Sequence, residues 1–277
     1  LIEIWDLKGQ LRSDLPYQEE EEFLGHDNGA AITALAVSND TTLLASGSTD
    51  GSVQIWRIDT GKCLRKIETS VAKSSVSFLS FSPESSHILT ASHDGSCREF
   101  GLRTARMLKE FTGSSSYLTC CGYATIFLGD DELLAVVSAS GDGSVRIWNG
   151  RTADVLHVLR PVSIGLRNKL SAAGSSIVTM EQHDKAANVQ YPAIHTLMHL
   201  HTPPKTMIVV PRGIRAFLVD FRGTVLRTFQ DDSTASEAVF VAAAVSASNQ
   251  WLYVAKDDGS CCVFDVSTGD IDRTIRD

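Results

Sequence analysis

The chain has no Cys-x-x-Cys, no excess of basic residues and no long apolar run, and each absence removes a class of function. Lys and Arg number 25 against 33 Asp and Glu, for a net charge of −8. Nucleic-acid affinity is built mainly from clustered cations on phosphates, so direct binding of nucleic acid is not expected. The six cysteines fall as Cys63, Cys97, the Cys120-Cys121 pair and the Cys261-Cys262 pair. Neighbours on a strand point to opposite faces, so neither pair suits one metal or one short bridge, and buried thiols in a reducing compartment are expected. No stretch reaches the roughly 18 apolar residues of a membrane-spanning helix. Leu1-Ile2-Glu3-Ile4-Trp5 does not read as a signal sequence. What the chain does have is 277 residues, 43% of them hydrophobic, enough to build the core of one domain.

It also repeats itself. The signature Asp-Gly-Ser recurs as DGSVQIW from Asp50 to Trp56, DGSCREF from Asp94 to Phe100, DGSVRIW from Asp142 to Trp148 and DGSCCVF from Asp258 to Phe264. The closing aromatics Trp56, Phe100 and Trp148 are 44 and 48 residues apart, a period that belongs to four-stranded blades of a β-propeller. Asp-Gly marks the central hairpin of each unit, on the ground that both residues tolerate positive φ. In one unit, apolar runs at Ile32 to Val37, Leu43 to Ala45, Val53 to Ile58 and Leu64 to Ile67 supply strands a to d. Strands a to c are expected to be covered on both faces by neighbouring blades.

Units of the same grammar follow from Val76, from Tyr117 and from Phe240. A degenerate fifth has strands near Ile194 to Leu200, Met207 to Val210, Ala216 to Phe221 and Val225 to Phe229, with Pro211-Arg212-Gly213 as its turn. The polar stretch 160–193 reads as an insertion outside the array. Leu1 to Leu7 matches a strand c, with Trp5 in the aromatic slot. The expected fold is therefore all-β: one domain over 1–277 with about five full blades plus part of another, a fragment of a seven-blade ring truncated at both ends.

Several polar residues invite chemistry. His26, Ser46, Asp50 and Trp56 look on paper like a Ser-His-Asp triad. Their order matches a structural relay better: Asp50 accepts from His26, the imidazole bonds Ser46, and Ser46 takes the indole N–H of Trp56. No nucleophile elbow or oxyanion hole accompanies them, so no catalytic residue is expected. The relay decays to Ser114, Ser138, Asp142 and Trp148 in one unit and to Thr90, Asp94 and Phe100 in another. His183, His195, His199 and His201 raise a zinc hypothesis, but their spacing is no familiar pattern and no cysteine joins them, so no metal or cofactor is expected. The run Glu19 to Glu22 is a solvated loop or a docking edge for a basic peptide. Residues just before each turn Asp lie on one rim, which nominates Thr49, His93, Gly141 and Asp257, with Tyr117 beside them, as candidate partner contacts. A propeller enzyme would need acids or histidines on its innermost strands, where this chain offers Ala, Val, Leu, Ser and Thr.

The repeats and the relay resemble those of WD-repeat proteins, although only Trp5-Asp6 is a literal Trp-Asp pair. A closer likeness lies in Asp14-Leu15-Pro16-Tyr17-Gln18, GKCLRKIE from Gly61 to Glu68, LSFSPESSHILTAS from Leu79 to Ser92 and GLRTARMLKEFTGSSSYL from Gly101 to Leu118. These segments look like the Smu-type splicing proteins. The resemblance implies a non-catalytic nuclear scaffold of the spliceosome that acts in pre-mRNA splicing and splice-site choice, with a RED-like splicing factor as partner. No residues here match the helical LisH-type dimerisation region that those proteins carry. The alternative is a WD-repeat adaptor of another complex, such as a ubiquitin-ligase substrate receptor or a trafficking scaffold.

Overall fold

The computed structural model describes residues 2, 26, 29–69, 72–128, 131–161, 191–200, 205–231 and 238–276. Among them twenty strands form five four-stranded antiparallel sheets, each hydrogen-bonded in chain order. The first contains β1 (Ile32–Val37), β2 (Leu43–Ser48), β3 (Ser52–Arg57) and β4 (Cys63–Glu68). The second contains β5 (Val76–Phe81), β6 (His87–Ser92), β7 (Cys97–Gly101) and β8 (Met107–Phe111). The third contains β9 (Leu118–Leu128), β10 (Asp131–Ser140), β11 (Val145–Asn149) and β12 (Val155–Leu159). The degenerate unit is a complete sheet of β13 (Ile194–Leu200), β14 (Thr206–Pro211), β15 (Arg215–Asp220) and β16 (Val225–Gln230). The last sheet contains β17 (Phe240–Val245), β18 (Trp251–Lys256), β19 (Cys261–Asp265) and β20 (Ile271–Ile275). Apart from residue 2, the half-blade expected at residues 1–7 lies outside the described residues, as do all but the ends of the 160–193 insertion.

Every sheet carries a bulge between its third and fourth strands, at Ile55/Trp56, Glu99/Phe100, Ile147/Trp148, Leu218/Val219 and Val263/Phe264. In the four units bearing the signature, that bulge falls at the closing aromatic. An extra residue at this point bends the outer strand and tightens the right-handed twist, which gives each sheet the form of a blade.

The chain divides into two compact units, 1–123 and 124–277. In the first, Ala45, Val53, Ile55 and Ile67 pack against Val76, Leu79, Phe81, Ile88 and Phe100 of the next blade. Gly47 permits the approach, since a Cβ there would come within 2.7 Å of Val76 Cγ1. In the second unit, Ile208, Val210, Ala216 and Phe229 meet Phe240, Leu252, Val254, Cys262 and Phe264. The Phe264 ring meets Phe229 edge-on with 5.7 Å between centroids. Strands β2 and β3 are covered on both faces over most of their length, but β1 alternates between half-buried and exposed residues. Its Ala34 and Ala36 pack on the second blade, while Leu35 and Val37, on the opposite face of a period-two strand, are exposed.

Candidate functional site: the rim turns and the blade relay

The signature is a local folding instruction. In each copy the Asp carboxylate accepts from the backbone N–H of the Ser two residues on: Ser52 to Asp50 at 2.8 Å, Ser96 to Asp94 at 3.0 Å, Ser144 to Asp142 at 3.0 Å and Ser260 to Asp258 at 2.9 Å. Each Gly donates to the carbonyl three residues back, and it alone takes positive φ, between +74° and +83° in the four copies. The hairpin is thus a three-residue loop closed by a left-handed glycine, not a two-residue loop with both residues at positive φ. The Asp stays at negative φ because its side chain is already committed to the following Ser N–H.

This geometry makes the residue before each Asp the corner of the turn. Thr49, His93 and Asp257 are exposed there, and Gly141, half-buried, presents only backbone. The corners are pinned to the start of strand a of their own blade. Thr49 N–H donates to the Ala31 carbonyl at 2.9 Å and its hydroxyl accepts from Ala31 N–H at 3.1 Å. His93 N–H donates to Ser75 O at 2.9 Å, and Asp257 exchanges bonds with Val239 at 3.0 and 2.9 Å. Of the five nominated rim residues, the structure brings His93 and Tyr117 together, with ring centroids 5.5 Å apart at 47°. Tyr117 is 42% exposed, so the pair offers an aromatic face to solvent.

The four relay residues also converge. The indole N–H of Trp56 donates to Ser46 Oγ at 2.9 Å, and His26 Nε2 lies 2.9 Å from the same oxygen. The nearest partner of His26 Nδ1 is Ser52 Oγ at 2.8 Å, while Asp50 Oδ1 stands at 3.7 Å. Asp50 therefore holds the turn through Ser52 N–H, and the serine hydroxyl lies against the imidazole. Ser46 is fully buried and its oxygen accepts from an indole, an arrangement that keeps it from acting as a nucleophile. Where the histidine is missing, an arginine four residues after the turn Asp approaches the carboxylate: Arg98 to Asp94 at 2.8 Å and Arg146 to Asp142 at 3.3 Å. Trp148 still donates to Ser138 Oγ at 2.9 Å.

In the last blade a buried ion pair joins Lys256 to Asp231, with Cys262 Sγ 3.6 Å from the same carboxylate oxygen. Burial opposes the charge on Lys256, yet Asp231 and Cys262 hold its pKa above the ordinary value. The thiols are all unbridged; Cys97, Cys120, Cys121 and Cys262 are buried as expected, but Cys63 and Cys261 are only half-buried. Cys97 raises the pKa of Cys121 by hydrogen bonding, and burial adds to the shift.

His195 sits in the bulge that opens β13, so the alternation that would place it on one face with His199 is broken. His199 stacks on Phe221 at 6.2 Å. His183 and His201 lie outside the described residues, as does Glu19 to Glu22. Among the described residues no three His, Cys, Asp or Glu side chains are grouped to hold a metal.

Sequence reasoning missed the tip of the third blade. Strands β9 and β10 run 11 and 10 residues where the others run five to seven, and they carry Phe127 out with 55% of its surface exposed. The signal was present in the aromatic spacing, 48 residues at this blade against 44 at the one before.

Three segments, 18–57, 61–100 and 105–149, match the family model described as WD domain, G-beta repeat. The chain is 28% identical over 160 residues to autophagy-related protein 16 of Arabidopsis thaliana, covering 57% of this chain and 28% of that protein. It is 30% identical over 127 residues to guanine nucleotide-binding protein subunit beta-1 of Drosophila melanogaster, covering 44% of this chain and 35% of that one. The matches thus span about a third of the length of these curated relatives. WD40 proteins are generally non-catalytic scaffolds that mediate protein–protein interaction. Three family matches on an all-β array of five four-stranded blades support the WD40-repeat family for this chain and make it part of a WD-repeat β-propeller.

Proposed function

We propose that this chain is the non-catalytic interaction platform of a nuclear factor acting in pre-mRNA splicing and splice-site choice, and that it binds a RED-like splicing factor among spliceosomal proteins. The platform part rests on one observation: turns pinned at both ends present exposed corner side chains, among them the His93–Tyr117 pair, on rigid blades. The splicing part rests on the Smu-like segments, of which Gly101 to Leu118 is the most distinctive because it departs from the general repeat grammar. That segment forms β7's end, β8 and the approach to Tyr117. The likeness to autophagy-related protein 16, over 57% of this chain, favours a second reading as an adaptor of another complex.

Affinity purification of the intact protein from nuclear extract, with mass spectrometry of what copurifies, separates the two. A RED-like protein with spliceosomal components is the expected result. Autophagy, cullin or coat components without them would leave the platform standing and replace its role.

A further inference from the structure

Among the five described sheets, the turn between β14 and β15 alone lacks Asp-Gly-Ser, and with it a carboxylate. Register fixes the correspondence. Val209 pairs with Phe217 as Ser46 pairs with Gln54, which sets Gly213 at the place of Asp50, Ile214 at that of Gly51 and Arg212 at the corner held by Thr49. The corner bond is the same, with Arg212 N–H donating to Ala193 O at 2.7 Å as Thr49 N–H does to Ala31 O at 2.9 Å. Gly213 has no side chain to meet the N–H of Arg215, the bond that Asp50, Asp94, Asp142 and Asp258 each make with the Ser two residues on. Ile214 takes no positive φ, and among the described residues its N–H makes no bond of the kind each signature Gly makes to the carbonyl three residues back.

Cations stand where the acid is missing. Arg212 is exposed, and its guanidinium meets no carboxylate among the described residues; Arg215 is likewise without an ion pair there and donates to the neutral Gln230 side chain. Burial lowers the pKa of His195 and the Arg212 charge lowers it further, so this guanidinium is felt inside the blade. Beside Arg212, Ile214 leaves 42% of its surface exposed. The turn is pinned from the next blade, since Phe240 N–H donates to Gly213 O at 2.8 Å. The neighbouring corner is acidic, but its carboxylates are engaged: Asp257 accepts from Val239 N–H at 2.9 Å, and Asp258 from the N–H and hydroxyl of Ser260.

Resting on the platform reading above, we propose that the β14–β15 turn is the rim's acceptor for an acidic residue of the partner. A peptide segment places an Asp or Glu carboxylate against Arg212 and the N–H of Arg215, where the other blades carry an Asp of their own, and lays an adjacent apolar side chain on Ile214. A hydrogen bond between charged groups is the stronger kind, and a turn fixed beforehand loses little freedom on binding. A nucleic acid fits poorly, because its next phosphates would meet Asp257 and Asp258.

The test is selection of a random peptide library on the intact protein, followed by rebinding of the selected peptides to Arg212→Ala, Gly213→Asp, Gly213→Ala and Tyr117→Ala. Arg212 is exposed, and a Cβ at Gly213 meets nothing among the described residues within 4 Å at a φ outside the left-handed region, so these variants fold. Gly213→Asp returns the missing carboxylate from within the chain and competes with the partner's, whereas Gly213→Ala adds only bulk. The expected result is a class of peptides with Asp or Glu beside Leu, Ile, Met or Phe, weakened about tenfold by Arg212→Ala and by Gly213→Asp and unaffected by Gly213→Ala or Tyr117→Ala. Absence of that class, undiminished binding to Arg212→Ala or to Gly213→Asp, or an equal loss with Gly213→Ala would overturn the proposal, the last because bulk and not charge is then responsible. Peptides that depend on Tyr117 alone would overturn the acidic acceptor while leaving the platform reading intact, and peptides that depend on no rim position would overturn both.

Discussion

Trp56 terminates a chain of polar contacts that begins at His26, and its ring fills the slot where β3 bulges against β4. Replacing it with Ala removes a side chain only 2% exposed and should cost about 3–5 kcal/mol. Trp56→Phe keeps most of the volume but leaves the buried Ser46 hydroxyl without its indole donor, and should cost about 1–3 kcal/mol. Urea unfolding of both variants checks this, and a Trp56→Phe variant as stable as the parent would show that the hydrogen bond contributes nothing. The arginine that stands beside the turn Asp in the second and third blades makes a parallel prediction. Arg146→Met takes the guanidinium away from the Asp142 carboxylate, which keeps its Ser144 donors, and should destabilise by about 1–3 kcal/mol. In the first blade the same position is Gln54, whose Nε2 is buried with no partner among the described residues. An arginine there is unnecessary because His26 and Ser52 already surround the aspartate.

Turns and strands carry their own tests. Gly51 and Gly259 occupy the same place in the signature with φ of +79° and +83°. A Cβ at Gly51 would lie 2.8 Å from the Lys73 backbone, whereas at Gly259 nothing among the described residues lies within 4 Å. Gly259→Ala should therefore cost only the conformational strain, about 1–2 kcal/mol, and Gly51→Ala clearly more, as read from paired thermal melts. Strand β13 supplies a pH dependence. Burial lowers the pKa of His195 below its ordinary 6.5, against a backbone bond to Phe240 that raises it, and Arg212 lowers it further. The folded state then binds fewer protons than the unfolded one as the pH falls below about 6.5. Stability is full above that value and is lost as pH drops through the folded pKa. The urea midpoint should fall as pH drops from 7 through 6 toward 5, and His195→Asn should flatten that slope; an unchanged slope would assign the effect elsewhere.

At the scale of the whole molecule, the blade order was legible because each signature residue has a distinct local duty: Asp caps the turn, Gly takes positive φ, and the aromatic fills the bulge. Even the degenerate fourth sheet could be read from its apolar runs. What could not be read depends on distance across the fold. Ser52 looks generic in sequence, yet its hydroxyl lies 2.8 Å from His26 Nδ1 while its N–H holds Asp50. The His93–Tyr117 contact joins residues 24 apart on neighbouring blades, and Lys205 reaches a hairpin more than 70 residues earlier in the chain. The same contacts bear on charge. Arg98, Lys109, Arg146, Lys205 and Lys256 each meet a carboxylate within the fold. With the net charge of −8, these pairings reduce the cations available to follow a phosphate backbone. If the chain works in splicing, it does so by holding proteins. Fluorescence polarisation with a short single-stranded RNA should show no saturation up to about 100 μM protein at about 0.15 M salt. Saturable binding that weakens steeply with salt would mean that the chain carries a phosphate track, and RNA would replace protein as the partner to look for.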